Sequence, residues 1–181
     1  MKKHLSVKNM VLGAVLIALG VLFPQAFHMV GAGPVFLPMH IPVLLSGFVC
    51  GPVIGALAGL VTPLLSSFIT GMPPIYPMAV MMMFELGAYG LFAGLLYRKS
   101  TALHVYGALI GAMLIGRAVM GVVKTILLGM AGTPFTFQIF LADAFVTAWP
   151  GIVIQLIFVP IIVGLLIRIR LIEKKQPALE A

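Results

Sequence analysis

Charge is what this sequence has least of. Only 8% of its 181 residues are Asp, Glu, Lys or Arg, and 62% are hydrophobic. A soluble domain needs a hydrated, charged surface, and this composition is too apolar to make one. Mean hydropathy is +1.21, and several apolar stretches approach the roughly 20 residues that cross a bilayer. The chain therefore reads as an all-α, polytopic membrane protein, with one domain over residues 1–172 and a short tail over 173–181. Cysteine is nearly absent. Cys50 alone cannot close an internal disulfide, and within an apolar run it reads as a small core residue. The net charge of +7 raises the question of a nucleic-acid partner. That reading is rejected, because Lys and Arg sit mainly at the chain ends and in one short loop, a pattern of membrane topology.

Motifs of enzyme chemistry are missing as well. No G-x-x-x-x-G-K-[ST] occurs, so ATP is not bound by a P-loop, and there is no H-E-x-x-H and no G-x-S-x-G elbow. Ser66 and Ser67 have no suitably placed His–acid pair. His28 and His40 flank a loop without metal spacing and read as polar groups of a loop or cavity. No metal, cofactor or enzyme activity is expected. The basic head and apolar run of "MKKHLSVKNMVLGAVLIALGVLF" look like a signal peptide. No small-residue cleavage site precedes "FPQAFHM", so the run reads as a retained first helix.

Six spans are expected: 8–27, a short 39–50, 53–69, 78–97, 105–130 and 143–169. Lys2, Lys3 and Lys8 precede the first span. Arg98 and Lys99 separate the fourth from the fifth, and Arg168, Arg170, Lys174 and Lys175 end the chain. Loops after the first, third and fifth spans hold no Lys or Arg. The positive-inside rule then places both termini in the cytoplasm and those three loops outside. The loops are rich in Gly, Pro and aromatics, as in "HMVGAGPVFLP", "TGMPPIYP" and "AGTPFTFQIF", and such loops can fold back as a lid over a cavity.

Four ionisable residues fall within or beside the spans: Glu85, Arg117, Lys124 and Asp143. A charge at mid-bilayer costs roughly 2.5–3.5 kcal/mol on insertion scales, so each should face the bundle interior. At about 1.5 Å per residue, Lys124 lies about 9 Å and Arg117 about 20 Å below the outer end of the fifth span, on one face. Glu85 falls about 12–15 Å deep on the antiparallel fourth span, between the two cations. Asp143 sits at the outer mouth. Two readings stay open. Either Glu85–Arg117 and Asp143–Lys124 form purely structural pairs, or Glu85 holds Arg117 while Lys124 is offered to an anionic or polar ligand. The second is the preferred expectation.

Met78, Met81, Met82, Glu85 and Tyr89 recur at helical spacing along one face of the fourth span. Such a stripe serves either packing or an adaptable cavity wall. Trp149, beside Pro150, is a ligand-stacking residue or an interfacial anchor. Tyr76, His40 and Gln155 complete the polar candidates. In the first span Ala14 and Ala18, four apart, make a small-residue face for a close helical neighbour, and no polar side chain interrupts its middle.

Over residues 5–172 the chain resembles the S-components, the substrate-binding membrane subunits of energy-coupling factor (ECF) vitamin transporters. The resemblance rests on size, six spans with both ends inside, Ala14-x-x-x-Ala18, "PMHIPVLLSGFVCGPVIGALAGLVTPLLSS" and "MMMFELGAYGLFAGLLY". It implies one vitamin bound in an outward cavity of spans 4–6 under the three loops, with Glu85, Tyr89, Arg117, Lys124, Asp143 and Trp149 as cavity residues. It also implies that Ala14 and Ala18 meet a transmembrane coupling subunit (T-component), that two cytosolic ATPases drive an ABC-type import, and that the location is a bacterial plasma membrane. The pantothenate-type branch looks nearest. Folate, pyridoxine, a pyrimidine, and cobalamin or a precursor stay open as cargo. The competing classes are a gradient-driven carrier using Glu85 and Asp143, and a membrane scaffold with purely structural charges.

Overall fold

The computed structural model describes residues 6–28, 36–97, 101–132, 136–169 and 171, and all regular structure among them is helical. The helices are α1 (Val7–His28), α2 (His40–Cys50), α3 (Pro52–Thr70), α4 (Val80–Leu96), α5 (Ala102–Met130), the short α6 (Phe137–Leu141) and α7 (Trp149–Arg168). The basic positions Lys2, Lys3, Arg98, Lys99, Arg170, Lys174 and Lys175 lie outside the described residues, as do the side chain of His28 and the tail 173–181.

Five segments are long and apolar enough to cross a membrane: Val7–Phe27, Pro52–Thr70, Ile75–Leu96, Ala102–Met130 and Trp149–Arg168. The expected second span is the exception. At 11 residues and about 1.5 Å per residue, α2 reaches only about half of a 30 Å hydrocarbon core. It is buried instead, with Val43, Leu44, Phe48 and Cys50 almost fully enclosed.

The expected sixth span also differs. The chain read as the loop "AGTPFTFQIF" already holds α6, whose first turn is capped by the Thr136 hydroxyl accepting from the Ile139 N–H at 3.4 Å. A widened, π-type turn over Ala142–Thr147 follows, and α7 starts afresh at Trp149. Pro150 explains the restart, since proline lacks the N–H that a continuing helix would use but fits a first turn.

Helix α4 is the centre of the molecule, packed against α2, α3 and α5. Lipid gives helices no hydrophobic reason to associate, so close packing must supply the attraction. Glycine makes that packing possible along α3 and α4. A Cβ on Gly90 would lie 2.0 Å from the Gly55 carbonyl oxygen, and one on Gly59 would lie 2.1 Å from that of Leu86. Side chains there would force the backbones apart. Nearer the middle of the bundle, Tyr89 of α4 and Tyr97 just past its end pack with Phe48 of α2, Leu109 and Met113 of α5, and Val159 of α7.

Helix α1 turns Gly13 and Gly20 inward, against Ile54 and Thr62 of α3. Ala14 and Ala18 consequently lie on its exposed side, together with Val11, Val15 and Leu22.

Candidate functional site

The C-terminal ends of α1, α3 and α5 meet the N-terminal ends of α2 and α4 at one end of the bundle. There they surround a cavity of about 340 Å³. Helix α1 contributes Pro24, and the turn into α2 contributes Leu37, Pro38, Met39 and His40. Leu37 adopts a left-handed backbone (φ 51°), and its carbonyl accepts from the His40 N–H at 3.1 Å. That turn starts α2 with His40 against the cavity. Left-handed geometry is uncommon outside glycine and occurs where surrounding structure holds it in place.

The segment after α3 forms another wall with Met72, Pro73 and Pro74. It is tied down from below. The Ser66 hydroxyl donates to the Met72 carbonyl at 2.7 Å, that of Ser67 donates to the Pro73 carbonyl, and that of Thr70 donates to the Met72 carbonyl at 3.1 Å. Gly71, left-handed at φ 74°, ends α3 with its N–H on the Ser67 carbonyl. The two serines without a catalytic partner are therefore loop anchors. From the far side of the loop, Tyr76 donates its hydroxyl to the Leu127 carbonyl of α5 at 3.3 Å.

Helix α4 supplies Met78 (from the turn before it), Met81, Met82 and Glu85. Helix α5 supplies Met120 and Lys124, and the wide turn before α7 supplies Asp143 and Thr147.

Both cations are engaged with carboxylates. In the interior, Arg117 Nη1 stands 3.3 Å from Glu85 Oε1, and His40 Nε2 stands 3.7 Å from the same oxygen. The side chains of all three are at most 6% exposed. At the mouth, Lys124 Nζ donates to Asp143 Oδ2, and here exposure is 19% for Lys124 and 41% for Asp143. The inner pair is enclosed, whereas the outer pair is partly exposed and thus easier to rearrange.

Tyr89 backs the inner pair. It is fully buried, and its ring meets that of His40 edge-on at 5.4 Å between centroids. Gly116 makes room for it, since a Cβ there would fall 1.9 Å from the Tyr89 ring. Gln155 is likewise fully buried, with no hydrogen bond to either amide atom among the described residues.

Of the residues expected at the site, His40, Glu85, Lys124 and Asp143 line this cavity. Tyr76, Tyr89, Trp149 and Gln155 are not among its lining, and Trp149 is 62% exposed. Arg117 instead borders a smaller apolar hollow of about 220 Å³ between α5 and α7, with Phe145 and Ile152. Sequence reasoning missed Met39, Met72 and Met120. Met120 had a signal, standing one helical turn from both Arg117 and Lys124.

A buried ion pair lies beneath a cavity closed in by helix ends and a pinned loop, in an all-helical chain with five helices long and apolar enough to cross a membrane. A model of the "ECF transporter, substrate-specific component" family matches residues 8–167, and the chain belongs to that family. No curated protein and no solved structure matches it. Among the described residues, no group of three or more His, Cys, Asp or Glu side chains is placed to hold a metal ion.

Proposed function

We propose that this chain is the cargo-binding subunit of an ECF-type ABC importer for a water-soluble, vitamin-sized molecule, and that the 340 Å³ cavity is its binding site. The observation that carries the reading is the cavity's position. It lies at the end of the bundle where α1, α3 and α5 finish, and the sequence stretches that follow these helices carry no Lys or Arg, in a chain of the substrate-specific family. By the positive-inside rule that end faces outward and both termini are cytoplasmic, with six membrane passages in a bacterial plasma membrane if α2 counts as a partial one.

Energy comes from other chains in this reading. The sequence carries no P-loop, so a T-component and two cytosolic ATPases supply ATP hydrolysis. The exposed face of α1 around Ala14 and Ala18 is the proposed coupling surface, since small residues let a partner helix approach closely.

Pantothenate or a similar carboxylate, the cargo expected from the sequence, would need a cation released from its partner, and both cations are engaged. For a carboxylate to reach Lys124, it has to compete with Asp143.

Proteoliposomes test the proposal. The chain with its coupling module and ATP should accumulate cargo, and the chain alone under a proton gradient should not. Accumulation by the isolated chain would instead establish a gradient-driven carrier working through Glu85 and Asp143.

A further inference from the structure

The chain contains 12 methionines, 12 phenylalanines, four tyrosines and one tryptophan. Six of the methionines line the cavity: Met39, Met72, Met78, Met81, Met82 and Met120. None of the described lining residues is Phe, Tyr or Trp. Small-molecule sites usually carry aromatic walls, and this one has thioethers in their place. The methionines come from four separate parts of the fold: the turn into α2, the loop after α3, the start of α4, and α5. They therefore surround the space rather than edge it. A thioether is polarisable, adapts to shape, and is attracted to aromatic rings at about 5 Å. Such a wall lacks flat faces of its own and suits a ligand that brings one.

Charge narrows the class further. The formal charges at the cavity cancel within two pairs, Lys124–Asp143 and Arg117–Glu85. An anionic ligand has to displace a carboxylate from one of these cations, and a cationic ligand has to displace a cation. At the inner pair either exchange strands a charge among enclosed side chains, which is costly in a low-dielectric surrounding, and at the mouth a charged ligand still has to compete with the partner already in place. An uncharged ligand leaves both pairs in place and still finds hydrogen-bonding groups at the margins, in His40, Thr147 and the two pairs.

We propose that the cargo is an uncharged, planar heteroaromatic compound, its ring faces held by methionine sulfur and its polar edge by His40, Glu85 and the Lys124–Asp143 pair. This rests on the reading of the cavity as the cargo site and replaces the carboxylate expectation with a different chemical class.

Equilibrium dialysis of the full chain in detergent tests it. The probe mixture is lumichrome, 6-methylpterin and nicotinamide as neutral rings, pantothenol as a neutral aliphatic, and pantothenate and biotin as carboxylates, all read by mass spectrometry. At least one neutral ring should be enriched tenfold or more, pantothenate and biotin should not be, and Met81→Ala with Met120→Ala should cut the enrichment at least fivefold. Enrichment of a carboxylate or of pantothenol above every ring overturns the inference while leaving the cavity as the site, provided that Met82→Trp abolishes it. Enrichment that Met82→Trp leaves unchanged overturns the site itself. No enrichment of any probe also overturns the inference.

Discussion

At the scale of single residues, Arg117 and Lys124 look equivalent in sequence and differ in the fold. Arg117 sits beside Glu85 in the enclosed interior, and Lys124 meets Asp143 where both are partly exposed. Removing one partner of a buried pair strands the other charge. Arg117→Ala should therefore destabilise the fold by about 3–5 kcal/mol, read as a lowered unfolding midpoint in detergent, and adding Glu85→Gln should recover much of the loss. Lys124→Ala should cost at most about 1 kcal/mol, because its pair is partly exposed. Equal losses in the two single variants would contradict this ranking. The depth argument along the fourth and fifth spans brought Glu85 and Arg117 to compatible levels, and Asp143 near Lys124. Whether the pairs form at all depends on side-chain directions that spacing leaves open, and the fold forms both. Gln155 is different. Nothing in its own helix signals that it ends fully buried between α7 and the core, because that depends on which face α7 turns inward.

At the scale of elements, the spans now assigned to α1, α3, α4 and α5 were legible within a few residues, since long apolar runs bounded by Gly, Pro and basic residues are a strong signal. Segment 133–169 was harder. Its hydropathy is continuous, and the break comes from local backbone chemistry at Thr136 and Pro150. The glycine seam between α3 and α4 needs both helices present to be seen. Gly90→Ala should lower the unfolding midpoint, since its Cβ would meet the Gly55 carbonyl at 2.0 Å. Gly107→Ala, in open space on α5, should leave it unchanged or raise it through helix propensity of up to about 1 kcal/mol. The loop after α3 is a second element-level device. Ser66→Ala combined with Ser67→Ala removes two of its anchors and should speed cargo dissociation several-fold in stopped-flow or filter-binding experiments. An unchanged off-rate would mean that the loop does not cover the site.

At the scale of the whole molecule, two surfaces stand apart. One end of the bundle encloses a cavity, and one side of α1 presents small residues outward. The separation predicts separable phenotypes. Ala14→Trp should leave cargo affinity intact and abolish ATP-dependent uptake with the coupling module. Uptake at the wild-type rate would remove α1 as the coupling face. The methionine wall also belongs to this scale. The stripe Met78–Met81–Met82 was visible in one helix, but Met39, Met72 and Met120 join it only when four separate segments converge.

Native mass spectrometry of the full chain, purified without added ligand from cells grown in rich medium, tests most directly whether the cavity holds one small molecule per chain. One small-molecule adduct per chain is expected, lost in Met82→Trp, whose side chain would fill the cavity. A wild-type chain without any adduct, or an adduct equally occupied in Met82→Trp, would contradict it.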